Sequence, residues 1–338
     1  MAVVDTLGRG LRDLRVSVTD RCNFRCTYCM PRELFGPDHA FVEREELLTF
    51  EEITRVVAAF ASQGVTGVRL TGGEPLLRRD LPRLVEQIAA IEGIDDIAMT
   101  TNGALLAGSA VALAQAGLRR VTISLDAVDA DVFRALADTN VPVSAVFDGI
   151  SAAAAAGLGP IKINAVVQRG ANEDQIVPLA AFAREHDYIM RFIEYMDVGS
   201  TNGWRSGDVV PAAEILATVD AVFPVEEIPA AKPGETATRY RFRDGAGEFG
   251  IIASVTEPFC GTCTRARISP VGEVFTCLFA ARGHDLRAVL RGGADDEALA
   301  EAVRGVWAGR SDRYSELRSG LEGGTAQLPR VEMSYIGG

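Results

Sequence analysis

The sequence predicts an α/β protein: an incomplete (βα)6 TIM-type barrel, followed by a small α+β C-terminal module that covers the barrel mouth. Strand and helix patterns alternate through the first two-thirds of the 338 residues, with short connections. The predicted strands end in polar residues, as expected where chemistry lies at the carboxyl ends of parallel strands. Because the pattern changes after about residue 222, we assign 1–222 to the barrel and 223–338 to the module.

Six predicted strands alternate with helices. The strands are expected at 14–19, 65–71, 96–101, 121–126, 161–168 and 188–196, and the helices at 49–62, 81–91, 105–116, 130–137, 145–156 and 174–186. Thr49 and Glu52 have the spacing of a capping box, which predicts the start of the first helix. Such alternation implies a parallel sheet with right-handed crossovers. An incomplete barrel and a doubly wound sheet both have this arrangement.

Three basic side chains share the polar faces of the predicted strands. Since side chains alternate along a strand, Arg15, Arg69 and Lys162 lie opposite the apolar faces that pack on the helices. A sealed barrel would be filled with Val, Ile and Leu, and unpaired cations inside it would be costly. We therefore expect an open barrel that holds a polar, anionic ligand. The alternative is internal ion pairing with acidic residues at the strand ends, namely Asp20, Glu74 and Asp126.

The C-terminal part has a different pattern. Pro224 and Pro229 lie in a stretch that indicates a loop or linker. A β pair is expected at 239–243 and 248–255, a further strand at 274–278, and a helical tail beyond them. These short elements predict an irregular module that carries the second of two cysteine groups.

Composition and charge disfavour several classes of protein. Hydrophobic residues make up 48% of the chain, ample for a core, yet no apolar run reaches the roughly 18 residues of a membrane helix. The 34 basic and 46 acidic residues give a net charge of −12, whereas a general nucleic-acid binder would be basic. The first residues carry no secretory pattern. We expect a cytoplasmic protein that binds neither a membrane nor nucleic acid.

The six cysteines form two groups of three. The first is Cys22-x3-Cys26-x2-Cys29, and the second comprises Cys260, Cys263 and Cys277. Because the chain is long and we expect it to be cytosolic, where thiols stay reduced, metal binding is favoured over disulfide formation. Two closed zinc sites remain an alternative, with His39 or His284 as fourth ligand. Three thiolates on a four-iron cluster would instead leave one iron open for an exogenous ligand.

Two motifs resemble those of the radical S-adenosylmethionine enzymes. The first is the Cys22–Cys29 motif, with Tyr28 before its last cysteine, and the second is Gly72-Gly73-Glu74-Pro75 after the next predicted strand. Further segments narrow the resemblance to the GTP 3',8-cyclase family of molybdenum cofactor biosynthesis: 5–10, 14–31, 259–269, 275–278 and 333–338. Residues 234–240 depart from that pattern, where a Gly-Pro-Ala type of turn is expected.

The resemblance implies two [4Fe–4S] clusters, one on each cysteine group. The first would bind S-adenosylmethionine and generate a 5'-deoxyadenosyl radical, which removes the 3' hydrogen of GTP before C3' attacks C8. The second would bind the guanine. This family is also implied to need a low-potential electron donor, to pass its product to a cyclic pyranopterin monophosphate synthase, and to form a homodimer.

The same resemblance implies roles for individual residues. The implied S-adenosylmethionine contacts are Tyr28, Gly73, Ser124 and Met196. The implied GTP contacts are Arg15, Arg69, Thr100, Lys162, Arg265, Ala266 and Arg267. The Gly337-Gly338 tail is implied to reach the active site. Two other interpretations stay open: a radical enzyme that modifies a peptide, and a non-enzymatic zinc or electron-transfer protein.

Overall fold

A computed structural model describes residues 3–232, 234–321 and 329–338 of the chain. Part of the predicted helical tail, residues 322–328, lies outside the described residues. The described strands are β1 (Asp13–Ser17), β2 (Gly67–Thr71), β3 (Asp96–Thr101), β4 (Arg120–Ser124), β5 (Lys162–Val167), β6 (Ile189–Glu194), β7 (Val225–Ile228), β8 (Thr238–Phe242), β9 (Glu248–Ile252), β10 (Arg265–Ile268), β11 (Glu273–Phe275) and β12 (His284–Asp285).

Helices follow the strands in the alternation that the sequence predicts. They are α1 (Phe50–Ser62), α2 (Leu81–Ala89), α3 (Ala110–Gln115), α4 (Ala130–Ala137), α5 (Val143–Ala155), α6 (Ile176–Glu185), α7 (Ala212–Asp220), α8 (Leu286–Arg291), α9 (Asp296–Ala308), α10 (Tyr314–Leu321) and α11 (Met333–Ile336). The predicted strand at 96–101 and helix at 130–137 have the observed bounds. The predicted helix at 105–116 is shorter than expected, because a 3-10 turn at Leu106–Gly108 precedes α3.

Local sequence signals account for the way the elements begin. The capping box of α1 is confirmed, since the Glu52 amide donates to Thr49 Oγ1 at 3.1 Å and the Thr49 amide donates to Glu52 Oε2 at 2.8 Å. Helix α7 is not among the helices that the sequence predicts, and it begins after Pro211, a residue with a preset backbone angle that favours a helix start.

The strands form a mixed α/β sheet, and its central part is parallel. Its order is β12-β11-β10-β1-β2-β3-β4-β5-β6-β9-β8-β7, and β1 to β6 are consecutive parallel neighbours. The alternation of strands and helices and this pairing are those of a partial TIM barrel. A doubly wound sheet would instead reverse its strand order near the middle.

The chain beyond residue 222 adds strands to both edges of this sheet. On one edge β10 pairs in parallel with β1, and on the other β9 pairs in parallel with β6. The outer strands continue as antiparallel ribbons, β10-β11-β12 and β9-β8-β7. Side chains of the two ends of the sequence therefore become neighbours in one sheet.

The apolar faces of the strands are buried against the helices, as their alternation predicts. Leu14 and Leu70 have no exposed surface, nor does Ile163, and all three belong to one continuous core. The polar faces of β1, β2 and β5 therefore lie on the side of the sheet away from these helices. Within the described part of the chain, no helix has the length and apolar character needed to cross a membrane.

Candidate active site

A cavity of about 1330 Å3, counted to its open mouth, lies on the polar face of the sheet. Arg15, Arg69 and Arg267 form part of its wall. Arg15 is the register partner of Arg69 on β2 and of Arg267 on β10, so the three arginines stand in one row across adjacent parallel strands. The expectation of an open, cation-lined barrel agrees with this arrangement.

The charges of this row are not balanced by the protein. Among the residues that the structure describes, none of the three arginines pairs with a carboxylate. Burial and the neighbouring Arg267, Arg265 and Arg69 hold the pKa of Arg15 well below its usual value. Burial also lowers the pKa of Arg69 to about 10, and burial with Arg265 lowers that of Arg267 to about 9. An anionic ligand would relieve this excess charge.

Internal ion pairing was the alternative for these cations, and the structure contradicts it. Asp20 Oδ2 accepts a hydrogen bond from the Val42 amide at 2.7 Å. Asp126 accepts from the Tyr28 hydroxyl at 2.7 Å and from the Val166 amide at 2.8 Å. Glu74 has its own partners on β3 and on the turn that follows Pro75, described below. All three acids thus bind backbone amides or hydroxyls.

Four polar atoms of residues in the cavity wall lack hydrogen-bond partners. Asn164 Oδ1, Ser254 Oγ, Arg265 Nε and Arg310 Nε are buried and make no hydrogen bond within the described residues. Arg69 instead donates to Thr100 Oγ1 at 3.2 Å and to Thr122 Oγ1 at 3.0 Å. A buried acceptor beside unpaired donors fits a ligand that is anionic at one end and carries hydrogen-bond donors elsewhere.

Lys162 lies in a second, smaller cavity at the amino ends of the strands. Arg15, Arg69, Arg191 and Arg265 line both cavities, so the two cavities adjoin at a shared layer of arginines. Burial, followed by the charges of Arg191 and Arg120, lowers the pKa of Lys162 to about 7.

Sequence reasoning missed Arg191, which pairs with Glu235 at 3.3 Å. Its position between Met190 and Phe192 on β6 was the available signal, because alternation places it on the polar face.

The first cysteine loop is locked to the glycine loop that follows β2. The Gly73 amide donates to the Thr19 carbonyl, and the Glu74 amide donates to the Arg21 carbonyl, both at 2.8 Å. A Cβ on Gly72 would lie 2.3 Å from the Thr19 oxygen, and one on Gly73 would lie 2.2 Å from the Arg21 oxygen. Glycine is required at both positions because no side chain fits between the loops.

Glu74 ties these loops to the end of β3. Its Oε1 accepts from Thr101 Oγ1 at 2.8 Å and from the Leu76 amide at 3.0 Å, and its Oε2 accepts from the Asn102 amide at 2.8 Å. Burial raises the pKa of Glu74 to about 7 in spite of these hydrogen bonds. Asn102 Nδ2 in turn lies 3.8 Å from Cys22 Sγ. The glutamate of the motif therefore positions the first cysteine loop.

Cys22, Cys26 and Cys29 are free, half-buried thiols. Burial raises the pKa of each, that of Cys22 to about 11, and the acidic groups nearby add to the effect. The Cys29 amide donates to the Cys26 carbonyl at 3.0 Å, which closes a tight turn inside the motif. The thiols are therefore protonated in the absence of a cation, and a metal centre bound to them would displace these protons.

Cys260, Cys263 and Cys277 all line the cavity, close to the arginine row. Cys260 begins a 3-10 turn at Cys260–Thr262, and Cys277 follows β11. Burial opposes ionisation of Cys263, but Arg265 and Arg310 outweigh it and lower the pKa of this thiol to about 6. Arg265 Nη2 lies 3.4 Å from Cys263 Sγ. The Cys263 thiol is thus predisposed to be a thiolate, whereas burial raises the pKa of Cys277 to about 11.

Neither cysteine group has a histidine ligand beside it in the described residues. In the described part of the chain, no three His, Cys, Asp or Glu side chains converge closely enough to hold one metal ion. His39 packs between Phe35 and Phe41, and His284 is exposed in β12. Neither histidine completes a cysteine group, so each group offers three thiols, the number of protein ligands on a four-iron cluster with one open iron.

Comparisons with known proteins find similar chains along almost the whole sequence. The Radical SAM superfamily profile matches residues 16–183, and the Molybdenum Cofactor Synthesis C profile matches 188–316. The GTP 3',8-cyclase of Acidothermus cellulolyticus is 57% identical over 99% of this chain and 98% of its own length. Those of Xanthomonas axonopodis pv. citri and Staphylococcus haemolyticus are 51% and 45% identical over 99% of this chain, and over 98% and 99% of their own lengths.

The chain belongs to the GTP 3',8-cyclase family. Its fold also resembles that of a solved protein that binds S-adenosylmethionine. Streptococcus suis SuiB bound to S-adenosylmethionine superposes with a TM-score of 0.62 over 87% of this chain and 68% of that one, at 17% identity. At that identity the likeness concerns the fold alone, a radical S-adenosylmethionine fold with a parallel sheet.

Other predicted site residues of this GTP 3',8-cyclase family member lie at different depths. Tyr28, Thr100 and Met196 line the main cavity. Ser124 is half-buried at the end of β4, and Gly73 contributes only backbone between the two loops. Ala266 is buried in the core, because it alternates with Arg265 and Arg267 on β10.

The C-terminal tail enters the cavity from the side of β10. Arg267 Nη1 donates a hydrogen bond to the Gly337 carbonyl, and Gly338 lines the cavity. Gly337 has φ of +80°, and a Cβ there would lie 2.2 Å from Thr71 Cγ2. The structure thus brings the last two glycines together with the arginine row.

Proposed function

We propose that this chain is a radical S-adenosylmethionine enzyme that converts GTP to (8S)-3',8-cyclo-7,8-dihydroguanosine 5'-triphosphate, in molybdenum cofactor biosynthesis. The observation that carries the proposal is the row of unneutralised arginines, with Cys260, Cys263 and Cys277 in the wall of the same cavity. The high identity to GTP 3',8-cyclases along the whole chain supports the same reaction.

Two [4Fe–4S] clusters would be held by the two cysteine groups. Cys22, Cys26 and Cys29 would hold the first, while Cys260, Cys263 and Cys277 would hold the second. When bound, the first cluster and S-adenosylmethionine supply the 5'-deoxyadenosyl radical that abstracts hydrogen from C3' of GTP. The Glu74 network keeps the first loop in place, and Arg265 favours the thiolate of Cys263.

The S-adenosylmethionine side of the cavity would use Tyr28, Gly73, Ser124 and Met196. Tyr28 is fixed by its hydrogen bond to Asp126, which in turn accepts from the β5 amide of Val166. Burial raises the pKa of Asp126 to about 6. This carboxyl group orients Tyr28 through a short chain of hydrogen bonds.

GTP would be bound by the basic residues that have no carboxylate partner within the described part of the chain. Arg15, Arg69, Arg267 and Arg265 line the main cavity, and Lys162 lies beyond the arginine layer. Guanidinium groups bind phosphate oxygens through paired hydrogen bonds, and an ammonium group acts as a point charge. Thr100 and the backbone of Ala266 would complete the nucleotide contacts, and the Gly337-Gly338 tail would close them.

The finer architecture and the partners are part of the same proposal. We assign six βα units to a barrel domain at 1–222 and a C-terminal domain to 223–338. The enzyme would work in the cytoplasm as a homodimer, without membrane or nucleic-acid partners. It would take electrons from a low-potential donor and pass its product to a cyclic pyranopterin monophosphate synthase.

An anaerobic turnover experiment tests the function. The cluster-loaded enzyme is mixed with S-adenosylmethionine, reductant and either GTP or ATP, and the products are measured by mass spectrometry. We expect 5'-deoxyadenosine together with a cyclised nucleotide from GTP alone. Deoxyadenosine with unchanged GTP would contradict the cyclase and favour peptide modification, while no deoxyadenosine from iron-loaded protein would contradict the radical enzyme.

A further inference from the structure

Asp197 gathers three side chains from the C-terminal part of the chain. It follows Met196, just beyond β6, and its carboxylate accepts from Tyr314 Oη at 2.6 Å and from Arg330 Nη1 at 2.7 Å. Its other oxygen lies 2.8 Å from Arg318 Nη2. The side chains of Asp197, Arg318 and Arg330 are 12%, 8% and 9% exposed. One buried carboxylate therefore holds two buried arginines, which makes it costly to remove.

Glu332 makes a second connection between the same loop and the tail. Its Oε1 accepts from the Ser200 amide at 3.0 Å, and its Oε2 accepts from Thr201 Oγ1 at 2.9 Å. Ser200 Oγ also accepts from the Arg330 amide at 2.7 Å. Gly199 has φ of +66°, and a Cβ there would lie 2.2 Å from Glu332 Oε2. The loop after β6 is thus shaped to receive this glutamate.

These two connections lie immediately before the residues that enter the cavity. Helix α11 begins at Met333, and the amides of Tyr335 and Ile336 donate to the Glu332 carbonyl at 3.0 and 3.3 Å. The Gly337 amide donates to the Met333 carbonyl at 2.8 Å. Since this short turn is internally hydrogen-bonded, fixing Glu332 also fixes the Gly337 carbonyl that Arg267 contacts.

We propose that Asp197 and Glu332 form a two-point latch that positions the Gly337-Gly338 tail beside Arg267, and that this latch is needed for efficient cyclisation. The inference rests on the proposed cyclase function. Asp197 and Glu332 are positioning residues, because neither forms the site that would contact GTP. The latch joins the loop that carries Met196 to the tail, and so links the two sides of the cavity.

Amide hydrogen exchange of the cluster-loaded full-length enzyme tests the latch without turnover. In Asp197→Asn and in Glu332→Gln, we expect exchange at Tyr335, Ile336 and Gly337 to rise about tenfold or more, the effect of losing one charge-assisted hydrogen bond. The amides of β3 should keep their protection, which separates latch opening from general unfolding. Asp148→Asn, a change at an exposed carboxylate on α5, serves as the matched control.

A product ratio tests the role in the reaction. We expect Asp197→Asn to form 5'-deoxyadenosine but at least threefold less cyclised nucleotide per deoxyadenosine than wild type or Asp148→Asn. Exchange equal to that of the control would overturn the latch, and raised exchange with an unchanged product ratio would overturn its role in cyclisation. Failure of the proposed function is distinguishable, because wild type itself would then make no cyclised nucleotide while the exchange comparison still holds.

Discussion

Arg15 of β1 and Arg267 of β10 are direct neighbours across a parallel strand pair, with Arg69 on the other side of Arg15. Burial and the mutual repulsion of these cations lower the pKa of Arg15 well below its usual value. A fold that keeps buried like charges together spends stability on a site for an anion. Replacing one of these arginines is therefore expected to raise the free energy of unfolding and to weaken the use of the nucleotide.

Arg15→Met should stabilise the protein in the absence of nucleotide and impair it as an enzyme. Replacing a buried, unpaired charge by an apolar side chain of similar length is expected to raise the free energy of unfolding by about 1–4 kcal/mol. Loss of a buried phosphate contact of about 2 kcal/mol or more should lower kcat/KM for GTP at least about thirtyfold. Chemical denaturation without nucleotide and steady-state kinetics measure the two effects.

Arg119→Met is the matched control for this change, because Arg119 is exposed and forms no ion pair within the described residues. It should leave both quantities nearly unchanged. A loss of stability in Arg15→Met, or undiminished kcat/KM, would contradict the interpretation of the arginine row as an anion site.

The sequence was sufficient to place these cations on polar strand faces but not to pair β1 with β10. The alternation of side chains along a strand depends only on local geometry, and it was enough to place Arg15, Arg69 and Lys162 on the polar strand faces. The neighbour relation between Arg15 and Arg267 depends on a contact between the two ends of the chain, which no local pattern encodes. Arg191 could have been found by the same alternation, whereas the contacts of Asp197 depend on tertiary packing alone.

The depressed pKa of Lys162 predicts a pH dependence of GTP binding. Its pKa is lowered to about 7 by burial and by Arg191 and Arg120, and bound phosphate should raise it again. Above pH 7 the free enzyme then holds a neutral amine that must take up a proton on binding. We expect the Kd for GTP to increase between pH 7 and pH 9, by at most about tenfold per unit.

The measurement uses cluster-loaded enzyme, since the thiols would otherwise titrate as well. Lys162→Met should bind GTP more weakly at pH 6.5 and should lack the pH-dependent increase that depends on the ammonium group. The same shift affects the stability of the nucleotide-free protein. Because the pKa of Lys162 is lower in the folded than in the unfolded state, its charged form opposes folding, and this destabilisation is largest below pH 7. An equal pH dependence in Lys162→Met would contradict this assignment.

Cys277→Ala should separate radical formation from cyclisation. The first cysteine group is untouched, so 5'-deoxyadenosine should still form, while the cyclised nucleotide should be lost. Iron should fall from about eight to about four atoms per chain, the difference of one [4Fe–4S] cluster. Cys22→Ala is the complementary variant and should abolish deoxyadenosine formation. Normal product from Cys277→Ala would remove the second cluster from the mechanism.

Gly72→Ala should disrupt the contact between the glycine loop and the first cysteine loop. Gly72 has φ of +141°, and the added Cβ would lie 2.3 Å from the Thr19 carbonyl oxygen, so the two loops would have to separate. We expect the free energy of unfolding to fall by about 2–4 kcal/mol, from a strained backbone combined with a steric clash. Iron retention at the first group should fall as well, because Thr19 leads directly into the Cys22 loop.

Gly108→Ala provides the matched comparison for this last change. It adds the same methyl group to a glycine in a 3-10 turn, with φ outside the left-handed region and no atom within 4 Å of the new Cβ. Thermal denaturation and iron analysis should therefore show wild-type behaviour. If Gly72→Ala and Gly108→Ala behave alike, the close approach of the loops is not what holds the cysteine motif in position.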